Sequence, residues 1–461
     1  MKKYLKKLLL IVLLFLVFAS CKYVTYSEDK PSKKYIVKSN VTHPDWAETA
    51  VIYKVNLAKY TPEGTINAFM EHLPRLHGMG VEILWLSSIF PVQKKEENEI
   101  GQNFYSVRNY MEMDSTAGTK DDLENLIKEA HSLDMFIILD WQPMFISSDN
   151  PIAKEHPTWR KATPDEEQVN LNDSIVRVQL NYNNPEVIKY MSDAMKYWVE
   201  EFDIDGYQCN NAGSVPCDFW NSVRSELDEI KPVFMIAEDE GHPCLVENAF
   251  DMNYGYKLST LLKEVINGQL KVKELKSYFT NSDSIYEPEI YRMNFTNSLV
   301  KNSFKKNGTE QMDRSSEALA LLTFTVPGMP LIIEGQNGAA DMQLDSLREG
   351  TLNWANDKKT KLYKSFIKMK KNHVVFWNGA SGGSFEIIDI KAPKHVFTFM
   401  RQIEDENAIV ILNFSNKSAK FKFKGKIPEG NYFNYFSSLS FDFNEQIDLP
   451  PFGYLVLLDE F

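Results

Sequence analysis

The most constraining stretch of this 461-residue chain is Glu201–Ala212, EFDIDGYQCNNA, taken with Val233–Glu240, VFMIAEDE. Each is a short apolar run that ends in a polar cluster, and a helical segment, Pro216–Ile230, lies between them. A strand, a helix and a second strand form one step of a parallel α/β fold, because parallel neighbours need a crossover. The step places Asn210 and Glu238 at the carboxyl ends of successive strands. In a closed (β/α)8 barrel those ends face the active-site mouth. Two carboxylates there would support glycosidic cleavage with retention, one attacking and the other moving a proton. Only one of the two is a carboxylate.

The same step recurs along the chain. Val51–Leu57, Val81–Ser87, Met135–Asp140, Phe250–Tyr254, Tyr291–Thr296 and Pro330–Glu334 read as strands. Thr65–Gly78, Asp121–Leu133, Pro185–Phe202 and Leu362–Lys371 read as helices. Near-continuous apolar strands alternating with helices predict an α/β (β/α)8 TIM barrel over residues 45–378, with an irregular excursion at 141–180 after the third strand. From 379 to 461 the texture changes. Val396–Arg401, Ala408–Asn413, Lys420–Phe423 and Tyr454–Leu458 are β-type runs separated by turns, which predicts a C-terminal antiparallel β-sandwich domain.

Residues 1–20 read as a lipoprotein signal peptide. Lys2, Lys3, Lys6 and Lys7 precede the apolar run Leu8–Phe18, too short to span comfortably as a permanent helix. Phe18-Ala19-Ser20-Cys21 resembles a bacterial lipobox, which makes Cys21 the lipid-bearing residue and 21–44 a polar tether. The expected location is the bacterial cell envelope, with the outer membrane favoured. Cys209, Cys217 and Cys244 remain; sequence leaves their pairing open, with Cys209 read as a small buried residue. A net charge of −12 argues against a nucleic-acid partner. No zinc-type spacing, Gly-rich phosphate loop or GxSxG elbow is present, so neither metal nor cofactor is expected. Aromatics make up 13% of the chain, and beyond filling a core they offer rigid platforms for sugar faces.

From about Trp46 onward the chain resembles the α-amylase family of glycoside hydrolases (family 13). The resemblance rests on AVIYKVN, VEILWLSSIFP, GQNFYSVRNY, AGTKDDLENLIKEAHSLDMFIILD, NNPEVIKYMSDAMKYWVEEFDIDGY, VPCDFW and FTVPGMPLIIEGQ, in that order. It implies roles for particular residues. The family's Asp-x-x-x-Asn-His falls on Asp140–Phe145, keeping Asp140 but putting Met144 and Phe145 in place of the calcium-binding Asn and substrate-binding His. Its Gly-Phe-Arg-x-Asp falls on Gly206–Asn210, so Gln208 replaces the Arg and Asn210 the nucleophilic Asp. Glu238 matches the general acid/base. Lys301-Asn302-Ser303-Phe304 aligns with the Glu-Asn-Ser-Trp after the seventh-strand motif, placing Leu299 on its His and Val300 on the transition-state-stabilising Asp.

A neutral amide is a far poorer nucleophile for forming the covalent glycosyl-enzyme and cannot offset an oxocarbenium charge, and Val300 removes a second anion. Removing a nucleophile lowers rates by about 10⁴–10⁶. Three readings follow. The first is a lipid-anchored pseudoenzyme that binds α-glucan or maltooligosaccharide, or supports a glycan-uptake complex. The second is a working hydrolase or transglycosylase with unusual machinery, for which Asp140, Asp239 and Glu240 are candidate second carboxylates. The third is a protein-interaction scaffold. Asp140, Gln208 and Asn210 are expected to contact substrate, with Tyr105, Trp141 and Trp159 as ring platforms.

Overall fold

Eight parallel strands close into a barrel: β1 (Ile52–Asn56), β2 (Ile83–Ser87), β3 (Phe136–Trp141), β4 (Gly206–Cys209), β5 (Phe234–Ala237), β6 (Met252–Tyr254), β7 (Tyr291–Asn294) and β8 (Met329–Ile333). Each pairs with its sequence neighbours, and β1 closes the ring against β8. The computed structural model describes residues 36–92, 106–148, 150–161, 177–281, 286–296, 309–337, 357–388, 393–423 and 430–459. Val37–Phe461 form one unit.

Successive strand residues point to opposite sides, and the barrel divides its apolar residues accordingly. Ile138, Phe234, Ile236, Met252, Met293 and Leu331 pack together in the lumen. Ile137, Leu139, Tyr207, Met235 and Ala237, one residue out of phase, pack outward against the helices. The helix layer includes α1 (Lys120–Ser132), α2 (Pro185–Phe202), α3 (Cys217–Asp228), α4 (Cys244–Asn248), α5 (Tyr256–Ile266), α6 (Val272–Asn281), α7 (Thr309–Thr325) and α8 (Asp357–Asn372). Thr119 caps α1, accepting from the Asp122 N–H while the Asp122 carboxylate accepts the Thr119 N–H. The single helix expected over Thr65–Gly78 is two, Ile66–Met70 and Leu73–Met79. Pro74 is the reason: without an N–H it fits the first turn of a new helix but not the interior of an old one.

The underside of the barrel is sealed by the segment that enters it. Trp46 stacks on Phe136 with ring centroids 4.1 Å apart. Asn378 Nδ2 donates to the Ala47 and Ala50 carbonyls. Residues 37–44, expected in the tether, are packed onto this end: Val37 is fully buried, and the Asn40 N–H donates to the Glu247 carbonyl at 2.8 Å. Cys21 and the rest of the expected leader and tether, up to residue 35, lie outside the described residues.

The C-terminal domain is antiparallel. A six-stranded sheet runs in the order β9 (Ser384–Ile387), β10 (Val396–Ile403), β11 (Glu406–Asn413), β16 (Tyr454–Asp459), β13 (Tyr432–Asn434), β14 (Leu439–Phe441). A separate pair, β12 (Ala419–Lys422) and β15 (Gln446–Leu449), covers one face. Met400, Ile409, Ile411 and Leu457 pack beneath that pair with Phe421 and Ile447. Phe397, Phe399, Val410 and Val456 on the other face belong to the same apolar core as the barrel helices. Arg401 ties the two parts together, donating to the Thr325 carbonyl at the end of α7 and to the Gly383 carbonyl.

Candidate active site

The strand ladder continues past β4 and β5. The Asn210 N–H donates to the Trp141 carbonyl and the Glu238 N–H to the Cys209 carbonyl, both at 2.9 Å. Asp140, Gln208, Asn210 and Glu238 thereby keep the inward phase of Ile138, Gly206 and Ile236. Gly206 begins β4 with φ +148°, and a Cβ there would lie 1.9 Å from the Phe234 carbonyl oxygen, so only glycine lets β4 approach β5 this closely.

Asp140 is the hub. Its Oδ1 accepts from Asn210 Nδ2 at 3.0 Å and Trp85 Nε1 at 3.3 Å, and its Oδ2 accepts from Gln142 Nε2 at 3.2 Å. Asn210 Nδ2 also points to the Trp141 carbonyl and to Gln208 Oε1, each at 3.2 Å. Lys54 lies over the Trp85 ring, 3.7 Å from its centroid, adding a cation to this group. The amide of Asn210 is a donor locked onto an anion and has no electron pair to offer from its nitrogen.

Glu238 stands apart from this hub, at the rim. One carboxylate oxygen accepts from the Asn211 N–H at 3.0 Å and the other from the Tyr256 hydroxyl at 2.7 Å. The two other acids in its loop are occupied. Asp239 accepts the Gly241 and His242 N–H groups and pairs with the His242 ring. Glu240 is paired with Arg292 and accepts the Lys257 N–H at 2.7 Å.

Three expected contacts are corrected. Trp141 is fully buried, packed against Tyr110, Tyr207 and Phe90 in the core beneath the helices. It follows Asp140 on one strand, so if Asp140 faces the lumen, Trp141 faces away. Gln208 is also fully buried, one layer below Asn210 and out of reach of a ligand at the mouth; its Nε2 has no partner among the described residues. Trp159 likewise offers no open ring: it is 7% exposed, stacks on His156 and donates to Glu186. Tyr105, Leu299 and Val300 lie outside the described residues. Lys54 and Trp85 were missed, although the alternation in VIYKVN and VEILWLSS places both on the lumen phase. Tyr256 and His242 left no signal short of the fold.

Cys217 and Cys244 form a disulfide, and Cys209 is a free thiol whose pKa is pushed up by burial. The bridge joins the starts of α3 and α4, the helices that follow the two site-bearing strands.

The geometry agrees with comparisons to known proteins. The family described as "Alpha amylase, catalytic domain" matches residues 38–168. Alpha-amylase 2 of Dictyoglomus thermophilum is 22% identical over an alignment covering 86% of this chain and 75% of that protein. A cyclomaltodextrinase of Thermoanaerobacter pseudethanolicus is 24% identical, covering 77% of this chain and 64% of that one. The crystal structure of a noncanonic maltogenic α-amylase, AmyB from Thermotoga neapolitana, matches with TM-score 0.74 and 27% identity, over 90% of this chain and 99% of that one. The α-amylase of Geobacillus thermoleovorans complexed with acarbose matches with TM-score 0.76 over 90% and 99%; at 19% identity it speaks to fold alone. A closed parallel barrel with an antiparallel C-terminal domain, the ordered motifs and these relatives lead to one conclusion: the chain is similar, in fold and in motif order, to the α-amylase family of glycoside hydrolases.

Proposed function

We propose that this chain is an exported, lipid-anchored member of the α-amylase family that binds α-glucan without hydrolysing it, in service of glycan uptake at the bacterial outer membrane. The observation that carries the reading is the Asn210 amide, which donates to Asp140 where the family's attack requires a free carboxylate. Asp239 and Glu240, the nearest alternatives in sequence to Glu238, are already committed to His242 and Arg292. The relatives named α-amylase, one of them complexed with acarbose, support α-glucan as the ligand class. The Cys217–Cys244 disulfide supports export, since such bonds persist in oxidising compartments. Purified protein should bind maltoheptaose yet release no new reducing ends on long incubation. Turnover that disappears in Glu238→Gln would replace this reading with that of a working hydrolase, which the retained Glu238 favours. Cys21→Ala should move the protein from the membrane to the soluble fraction.

A further inference from the structure

The loops after β4 and β5 are tied together beyond what the strands require. Besides the Cys217–Cys244 bridge, the Asn211 N–H reaches across to Glu238. Gly213 sits so near the second loop that a Cβ there would lie 2.3 Å from both Asp239 Oδ2 and His242 Nδ1. Glu238 and His242 are therefore both held against one three-residue stretch, Asn211–Gly213, at the barrel mouth.

His242 is itself oriented. Its Nδ1 lies 2.9 Å from Asp239 Oδ2. A carboxylate beside one ring nitrogen holds a proton there, so in the neutral imidazole the other nitrogen is the acceptor. That other nitrogen, Nε2, bonds to nothing among the described residues, and the side chain is 57% exposed. Asp239 is unable to turn away, because its Oδ1 accepts the Gly241 and His242 N–H groups at 2.7 Å each. On the same rim stand the remaining lone pairs of Glu238 and the ring of Tyr256, 38% exposed. Acceptors near a partly exposed tyrosine ring suit a ligand that presents hydroxyl donors and an apolar ring face, which is the chemistry of an oligosaccharide.

We propose that His242 is a glycan-contact residue of this chain, accepting a sugar hydroxyl at Nε2, with Asp239 and the Cys217–Cys244 bridge as its positioning elements. The assignment rests on the glycan-binding reading above and names a contact that reading leaves open. Calorimetric titration of maltoheptaose into wild type, H242A and H242Q, with the melting temperature of each, tests it. H242A should bind about five- to tenfold more weakly at an unchanged melting temperature, the loss of one neutral hydrogen bond. H242Q keeps an acceptor and should stay within about twofold of wild type. The C217S/C244S double variant should weaken binding in the same direction as H242A.

Equal affinity in H242A and wild type overturns the assignment and leaves the α-glucan reading standing. If wild type ignores maltoheptaose, the α-glucan reading falls, and cellohexaose, xylohexaose and chitohexaose decide the contact. Binding of one of them that H242A loses sustains the role of His242. Binding of none overturns both.

Discussion

Strand β4 carries a polar residue just beyond each end, and the two ends are built on different terms. Below it, Asp205 is 3% exposed and fully paired: it accepts from the Ile137 N–H, from His131 Nε2 and from Lys231 Nζ. That hydrogen bond in turn holds the His131 imidazole above its usual range. The next strand entry but one repeats the device, with Asp251 fully buried between Arg224, His43 and the Met235 N–H. Above the strand, Asn210 and Gln208 are neutral: Asn210 Nδ2 donates to Asp140 and to Gln208 Oε1, and the Gln208 Nε2 donor has no partner among the described residues. Buried charge is tolerated where every lone pair and proton is answered. The lower end meets that condition and serves stability. The upper end instead answers the Asp140 carboxylate with the Asn210 and Gln142 amides and the Trp85 indole.

The sharpest way to break the contrast is at the lower end. Asp251→Ala should cost about 3–5 kcal/mol in denaturant unfolding, because it removes one carboxylate of the buried Arg224 and the acceptor of both His43 and the Met235 N–H. A loss below 1 kcal/mol would mean the underside is no better paired than the mouth.

Glu334, just past the end of β8, tests whether charge can persist unpaired near the upper end. Burial raises its pKa to about 7, against the opposing hydrogen bond from the Asn56 N–H. The folded value lies above the unfolded one, so the carboxyl imposes no penalty below about pH 4.5, and the penalty grows until the folded group ionises near pH 7. The stability difference between wild type and Glu334→Gln should shift by about 3 kcal/mol between pH 4 and pH 8, with wild type losing ground as pH rises. A pH-independent difference would contradict this.

The smallest effect is expected at Asn210. Asn210→Asp sets a second carboxylate against Asp140 with no guanidinium to separate them. It should destabilise the fold by about 1–2 kcal/mol at pH 8, recover as the pair takes up a proton on acidification, and gain no turnover. Hydrolysis appearing in this variant would show that the amide alone silences the site.

Much of the scaffold was legible in the sequence because the relevant signals are local. Parallel strands covered on both faces leave apolar runs such as FIILD and VFMIA, and the 3.6-residue periodicity of Pro185–Phe202 gave that helix its observed bounds. The motif order led to Asp140, Asn210 and Glu238 at strand ends. What was not legible depends on distance through space. The alternation that put Asp140 inward should have turned Trp141 outward, but composition drew attention to its ring. The depth of Gln208 depends on barrel register, which pairs it with Asp140 on one side and Ile236 on the other. The Cys217–Cys244 bridge spans 27 residues of sequence but only 6.2 Å between Cα atoms, a proximity created by neighbouring βα loops.

The six-stranded sheet at the C-terminus has no dry side to spare. Residues alternate along β10 and β11 between a core shared with the barrel helices and a core shared with the overlying pair. Ending the chain at residue 378 would therefore uncover a greasy flank on the barrel itself, including the surface around Phe279, whose ring meets Phe385 and Phe397. The two architectural halves are in this sense one melting unit, and the catalytic-type scaffold is not a detachable cassette.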